Sequence, residues 1–156
     1  MIKILCLGKI KETFFKEAIN EYTKRLSKYT KIDIVELDDY KGDDKIISLE
    51  KEKSLILKNL NEKDFVITLE IEGNELTSIE LSKKIDEILT FNSNIVFVIG
   101  SSYGLHDDIK RRSNYYFLPL SFCPACPLKI RVGANSPNLC PIIFSLTKTG
   151  INLLPL

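Results

Sequence analysis

Gly100-Ser101-Ser102-Tyr103-Gly104 is the part of this chain best suited to holding a ligand. It follows five consecutive apolar residues, Ile95 to Ile99, and precedes a charged, helix-compatible stretch that runs to Arg112. A buried strand that stops at a small-residue loop and then enters a helix is where an open α/β sheet offers its main chain to a bound molecule. Glycine lets the chain turn there and lets a flat ligand come close to the backbone. Tyr103 could stack on a base or on adenine, and reads equally well as an amphipathic loop residue. His106, the single histidine, could serve as a general base or touch a phosphate; a solvated residue at the start of a short helix is the simpler account. Asp107 and Asp108 suit that helix's N-terminus through its dipole. Lys110-Arg111-Arg112, and the group Lys9, Lys11 and Lys16, could grip phosphates, and a solvated helix face explains each cluster as well.

A second chemistry is carried by Cys123-x-x-Cys126, with Cys140 fourteen residues later. Three thiolates could bind zinc, or the pair could be a dithiol redox centre. A structural zinc site wants four ligands, and no histidine follows Cys126. A redox pair wants a helix that starts at the first cysteine and lowers its pKa, and Pro127 leaves room for barely one turn. Free thiols in a cytosolic protein are the preferred account, with a metal-binding or redox protein kept as a weaker alternative.

The elements that must position the loop are readable from periodicity. Ile2 to Leu7 is strand-like and stops at Gly8. Lys11 to Tyr29 is a helix, with Phe14, Ala18, Tyr22 and Leu26 recurring every four residues and Phe15 and Ile19 widening the stripe. Ile32 to Leu37 is a second strand that ends at Asp38-Asp39. Asp43 to Asn61 is a second helix, with Ile46, Ile47, Leu49, Leu55, Ile56 and Leu60 as candidates for its buried side. Phe65 to Ile71 is a third strand, closed by Gly73. Thr77-Ser78-Ile79-Glu80 fits a capping box, and Leu81, Ile85, Ile88 and Leu89 form the next apolar face. Ile95 to Ile99 is the fourth strand and Gly104 to Arg112 a short helix. This alternation predicts an α/β protein: a single domain over 1–156 with an open, mostly parallel sheet and helices on both faces.

Composition sets the outer limits. A chain of 156 residues, 44 % hydrophobic and 28 % charged, suits one soluble domain. The formal net charge of +1 gives no global field that would favour nucleic acid or membrane. No apolar stretch reaches the roughly 18–20 residues of a membrane span, and the N-terminus reads as a strand, so a cytoplasmic protein is expected. The character changes near residue 118. All 21 acidic residues lie at or before Asp108, whereas all six prolines and three of the four cysteines come later. Low charge and frequent proline argue against a long amphipathic helix in that tail.

Over about the first 117 residues the chain resembles a known family. The matching features are Gly8-Lys9 after the first strand, Glu21-Tyr22 with Lys24-Arg25-Leu26, Tyr29 to Ile34, Lys51-Glu52-Lys53 and Val66 to Gly73. Most specific are Val96-Phe97-Val98-Ile99-Gly100, Gly104-Leu105 and Arg112-Ser113-Asn114-Tyr115. In this order they resemble the small α/β-knot, or SPOUT-class, methyltransferases that methylate N3 of a pseudouridine in 23S ribosomal RNA. The resemblance implies S-adenosylmethionine as methyl donor, a trefoil knot, a homodimer, and the large ribosomal subunit or assembled ribosome as partner. It implies cofactor contacts at Leu69, at Gly100 and in a third segment, Pro119, Leu120, Ser121, Phe122, Cys123 and Pro124. Ser101 stands where the family usually has a second glycine, which would add a side chain beside the cofactor. The family's Pro-His pair, Glu-Gln and Tyr-Arg-Ala run, and terminal Tyr-His are missing from the tail. No catalytic residue is therefore assigned, and a catalytically inactive remnant or binding domain of the same fold is the alternative function.

Overall fold

The computed structural model describes residues 1–40, 42 and 44–119. Among the described residues five strands and four helices alternate: β1 (Ile2–Leu7), α1 (Thr13–Leu26), β2 (Ile32–Leu37), α2 (Lys45–Lys58), β3 (Phe65–Leu76), α3 (Ser78–Phe91), β4 (Ile95–Ile99), α4 (Asp107–Arg112) and β5 (Tyr115–Pro119). The strands form one sheet in the order β2-β1-β4-β3-β5, and every pairing is parallel. The α/β sheet expected from the alternation is thus present.

Parallel strands are covered on both faces, so their sequences read as apolar runs rather than alternations. All five residues of β4 are buried. Ile95, Phe97 and Ile99 face α1 and α3, together with Ile4, Ile67, Leu81, Ile85 and Ile88. Val96 and Val98 face α2 and α4, together with Leu5, Ile56, Val66, Leu105 and Ile109. The steps β1 to β2 and β3 to β4 run one way across the sheet and use the helices of the first face. The steps β2 to β3 and β4 to β5 run the other way and use the second face. All four crossovers therefore share one hand, as the rule for parallel units requires.

Local signals explain where the helices begin. Thr77 accepts from the Glu80 amide while Glu80 accepts from the Thr77 amide at 2.7 Å, the capping box read in the sequence. Asp44 caps α2 by accepting from the Ile46 and Ile47 amides. The helices are shorter than the periodicity suggested, because α1 ends at Leu26 and α2 spans only Lys45–Lys58. Asp107, not Gly104, opens α4.

Three sequence expectations are corrected. Phe14 is 60 % exposed; Ile19 and Leu26, seven residues apart, set the buried line of α1. Ile46 and Ile47 are exposed as well, since Ser48, Glu52 and Ile56 form the inward row of α2, and Leu89 is exposed because Leu81, Ile85 and Ile88 form that of α3. Gly73 does not close β3, which continues to Leu76. Phe117 of β5 is level first with Leu69 and then with Asn74, so residues 70–73 form a detour within the ladder. Gly73 is required where the detour returns: a Cβ there would lie 2.7 Å from the Phe117 carbonyl carbon and 2.9 Å from the Leu118 nitrogen.

Candidate functional site

The carboxyl end of β4 lies beside the point at which β3 begins its detour, and β5 flanks that point on the other side. Leu69 is level with Ile99 on one side and with Phe117 on the other. Gly100 follows Ile99, and Pro119 ends β5. The structure thus brings Leu69, Gly100 and β5 to one place in the sheet. Leu120, Ser121, Phe122, Cys123 and Pro124, and with them Cys126 and Cys140, lie outside the described residues, as does the part of the expected knot after residue 119.

The glycine loop is a tight turn held by its own chain. The Gly104 amide donates to the Ser101 carbonyl at 3.0 Å. Gly104 has φ +85°, a left-handed conformation that favours glycine, and its missing Cβ faces open space. Gly100 has a different reason to be glycine. A Cβ built on it would meet the Gly104 carbonyl oxygen at 2.7 Å. The space beside Gly100 is thus taken by the returning backbone.

The Ser101 side chain is engaged within the protein. Its hydroxyl donates to Glu52 Oε2 at 2.9 Å, so the side chain is tied to α2. Glu52 is only 2 % exposed, and its other oxygen accepts from the Tyr40 amide at 3.2 Å. One carboxylate therefore joins the loop after β2 to the loop after β4, across β1. Burial raises the Glu52 pKa above the ordinary carboxylate value, against the hydrogen bonds from Ser101 and Tyr40 that lower it. A raised folded-state pKa means stability is full at acid pH and is lost as pH rises through the raised value. Glu52→Gln removes this titration. The variant is expected to gain stability relative to wild type between acid and neutral pH in urea unfolding. A difference that stays constant with pH would show that Glu52 is not the titrating group.

His106 caps α4. Its Nδ1 accepts from the Asp108 amide at 3.1 Å, and Nε2 lies 3.1 Å from Glu50 Oε1. With Nδ1 accepting, the neutral ring carries its proton on Nε2 and donates it to Glu50. Lys53 joins Glu50 and Asp108, which clasps α2 to α4. Its ammonium holds both carboxyls below their usual range. His106 does stand at the start of the short helix, but its ring is engaged by the Asp108 amide and Glu50 rather than left to solvent.

The basic triplet is largely engaged. Arg112 donates to the carbonyls of Asn61, Glu62 and Asp64. Lys110 lies 3.3 Å from Glu70 Oε2. Arg111 is the most exposed member, with Asp108 3.8 Å away. Lys9 pairs with Asp38 at 2.7 Å on the surface.

A family model described as "Predicted SPOUT methyltransferase" matches residues 1–123. The chain belongs to the SPOUT methyltransferase family. It is 48 % identical over 121 residues to the ribosomal RNA large subunit methyltransferase H of Clostridium botulinum (strain Okra / Type B1), covering 73 % of this chain and 76 % of that protein. Proteins of the same name from Clostridium tetani and Caldicellulosiruptor saccharolyticus are 46 % and 44 % identical, at the same coverage.

In this SPOUT methyltransferase the Ser113-Asn114 motif fastens the sheet. Asn114 Oδ1 accepts from the Val66 amide at 2.8 Å, and the Asn114 amide donates back to the Val66 carbonyl at 2.8 Å. The Ser113 hydroxyl lies 3.1 Å from that of Thr68. These contacts set β5 onto β3 before their ladder begins. Cys6, the one cysteine among the described residues, is buried, and burial and then Glu36 push its thiol up to about 12. It stays protonated and is no nucleophile. No group of three or more metal-ligating side chains occurs among the described residues, and no helix there is long and apolar enough to cross a membrane. Glu52 and Glu70 received no role from the sequence. The available signal was an acidic residue inside an otherwise uncharged run, Phe65 to Ile71, and one in the middle of a helix face.

Proposed function

We propose that this protein transfers a methyl group from S-adenosylmethionine to N3 of a pseudouridine in 23S ribosomal RNA of the large subunit. The observation that carries this reading is the place where β4 ends and β3 begins its detour, which sets Leu69 beside the Ile99–Gly100 junction on one side and Phe117 of β5 on the other. The relatives' name supplies the class of substrate. The donor is cationic, and the place suits a cation: Glu70, next to Leu69, has a buried oxygen without a hydrogen-bond partner among the described residues. In this reading Leu69, Gly100 and residues 119–124 hold the cofactor.

S-adenosylmethionine supplies an electrophilic methyl carbon. The protein's share is to align that carbon with the attacking nitrogen and to exclude water. N3 of a uracil ring is weakly acidic, so removing its proton assists attack. His106 is poorly placed for that task, because Nδ1 is committed to the Asp108 amide and Nε2 to Glu50. The reading includes a homodimer, a cytoplasmic location, and the large ribosomal subunit or assembled ribosome as partner.

Two measurements test it. Isothermal titration of the folded protein with S-adenosylmethionine is expected to give saturable heat. Incubation with ribosomes and methyl-labelled donor is expected to label 23S RNA at a pseudouridine. Heat without transfer would favour an inactive domain of the same fold, and the absence of both would remove the assignment.

A further inference from the structure

The detour in β3 begins at a residue whose hydrogen bonding is incomplete. Glu70 Oε2 lies 3.3 Å from Lys110 Nζ, which reaches across from α4. Glu70 Oε1 is buried and accepts no hydrogen bond, the single buried side-chain oxygen or nitrogen in that state among the described residues. Burying a carboxylate oxygen without a donor is costly, so such an atom calls for a partner from outside the chain. Its place supports this. Leu69 is level with Ile99, so Glu70 and Gly100 are the next residues on two adjacent parallel strands. The β3–β5 ladder breaks immediately after Leu69, and irregularities of this kind concentrate beside active sites.

We propose that Glu70 is the anionic contact for the α-ammonium group of the methyl donor, an inference that rests on the function proposed above. The missing partner must be an N–H or O–H donor. The sulfonium carries charge but no such hydrogen. The ribose hydroxyls and the adenine amine can donate but are neutral. The ammonium offers three N–H groups and a full positive charge, and hydrogen bonds between ionised partners are the shorter and stronger class. A base in a polynucleotide is a poorer fit, since its N–H groups are neutral donors and make the weaker class of hydrogen bond. Lys110 is then a positioning residue: it anchors one oxygen and leaves the other free to accept.

The test compares three ligands by isothermal titration. S-adenosylmethionine and S-adenosylhomocysteine both carry the ammonium; 5′-methylthioadenosine has no amino-acid arm. In Glu70→Gln the first two are expected to weaken by about tenfold, the scale of one charged hydrogen bond, with 5′-methylthioadenosine unchanged. Equal weakening of all three, no change in any, or a loss confined to S-adenosylmethionine would overturn the assignment. A second comparison uses the unaltered protein and so does not depend on the variant folding. 5′-S-(3-carboxypropyl)-5′-thioadenosine keeps the carboxylate and lacks the amine. It is expected to bind about tenfold more weakly than S-adenosylhomocysteine, and equal affinity would overturn the proposal. If the unaltered protein binds none of these nucleosides, the failure belongs to the proposed function instead.

Discussion

Gly100→Ala is expected to weaken binding of S-adenosylmethionine by about tenfold, the equivalent of ~1.4 kcal/mol, and to lower the unfolding free energy by about 1–3 kcal/mol. The added methyl would stand 2.7 Å from the Gly104 carbonyl oxygen, 2.8 Å from its carbon and 3.0 Å from Leu105 Cγ. The first two are main-chain atoms, so no rotamer change relieves the contact. The turn must move, and with it the 3.0 Å bond from the Gly104 amide to Ser101 and the Ser101 hydroxyl's bond to Glu52. Titration calorimetry and urea unfolding read the two effects separately. Wild-type values in both would mean that the turn yields without cost and is not the rigid part of the site.

Phe97→Ala should have the larger effect on stability and the smaller effect on the site. Phe97 is fully buried in the strand at the centre of the sheet. It is level with Ile4 on β1 and Ile67 on β3, both also buried. Truncating a buried phenylalanine among such neighbours loses transfer free energy and leaves a cavity, together about 3–5 kcal/mol. Small domains have only about 5–15 kcal/mol in total. The urea midpoint is expected to fall with an unchanged slope, while molecules that remain folded still bind the donor. A loss below about 1 kcal/mol would show that the helices above Phe97 collapse into the space, contrary to the close packing of protein interiors.

The contrast between these variants reflects what one sequence can carry. β1, β2 and β4 were legible to the residue, because each is a short apolar or alternating run that stops at Gly8, Asp38 or Gly100. The capping box at Thr77 was legible for the same local reason. The extension of β3 beyond Gly73 was not. Glu72-Gly73-Asn74-Glu75 reads as a turn, and the partner that makes it a strand lies more than 40 residues away in β5. Phe14 and Phe15 are adjacent, about 100° apart on a helix, so only one can face the sheet. The choice is made by packing and not by spacing. The basic residues misled most. Lys110 and Arg112 look like free cations, yet their partners, Glu70 and the 61–64 turn, are distant in sequence. Leu69 and Gly100 were assigned from family likeness, and their adjacency appears only once β3 and β4 are laid side by side.

The four-residue detour in β3 has a consequence for how such a site varies over evolution. Phe117 is the last rung before the interruption and the first rung after it. The scaffold therefore registers no insertion: the rungs on either side meet the same neighbour. Ile71, 86 % exposed, contributes almost nothing to the interior. Changes of length, or of exposed residues such as Ile71, cost the fold little in such an appendix, because lengthening a surface loop adds little closure entropy, whereas Gly73 is fixed by the main chain it meets. Recognition and architecture are thereby placed under separate selection within a single β-strand.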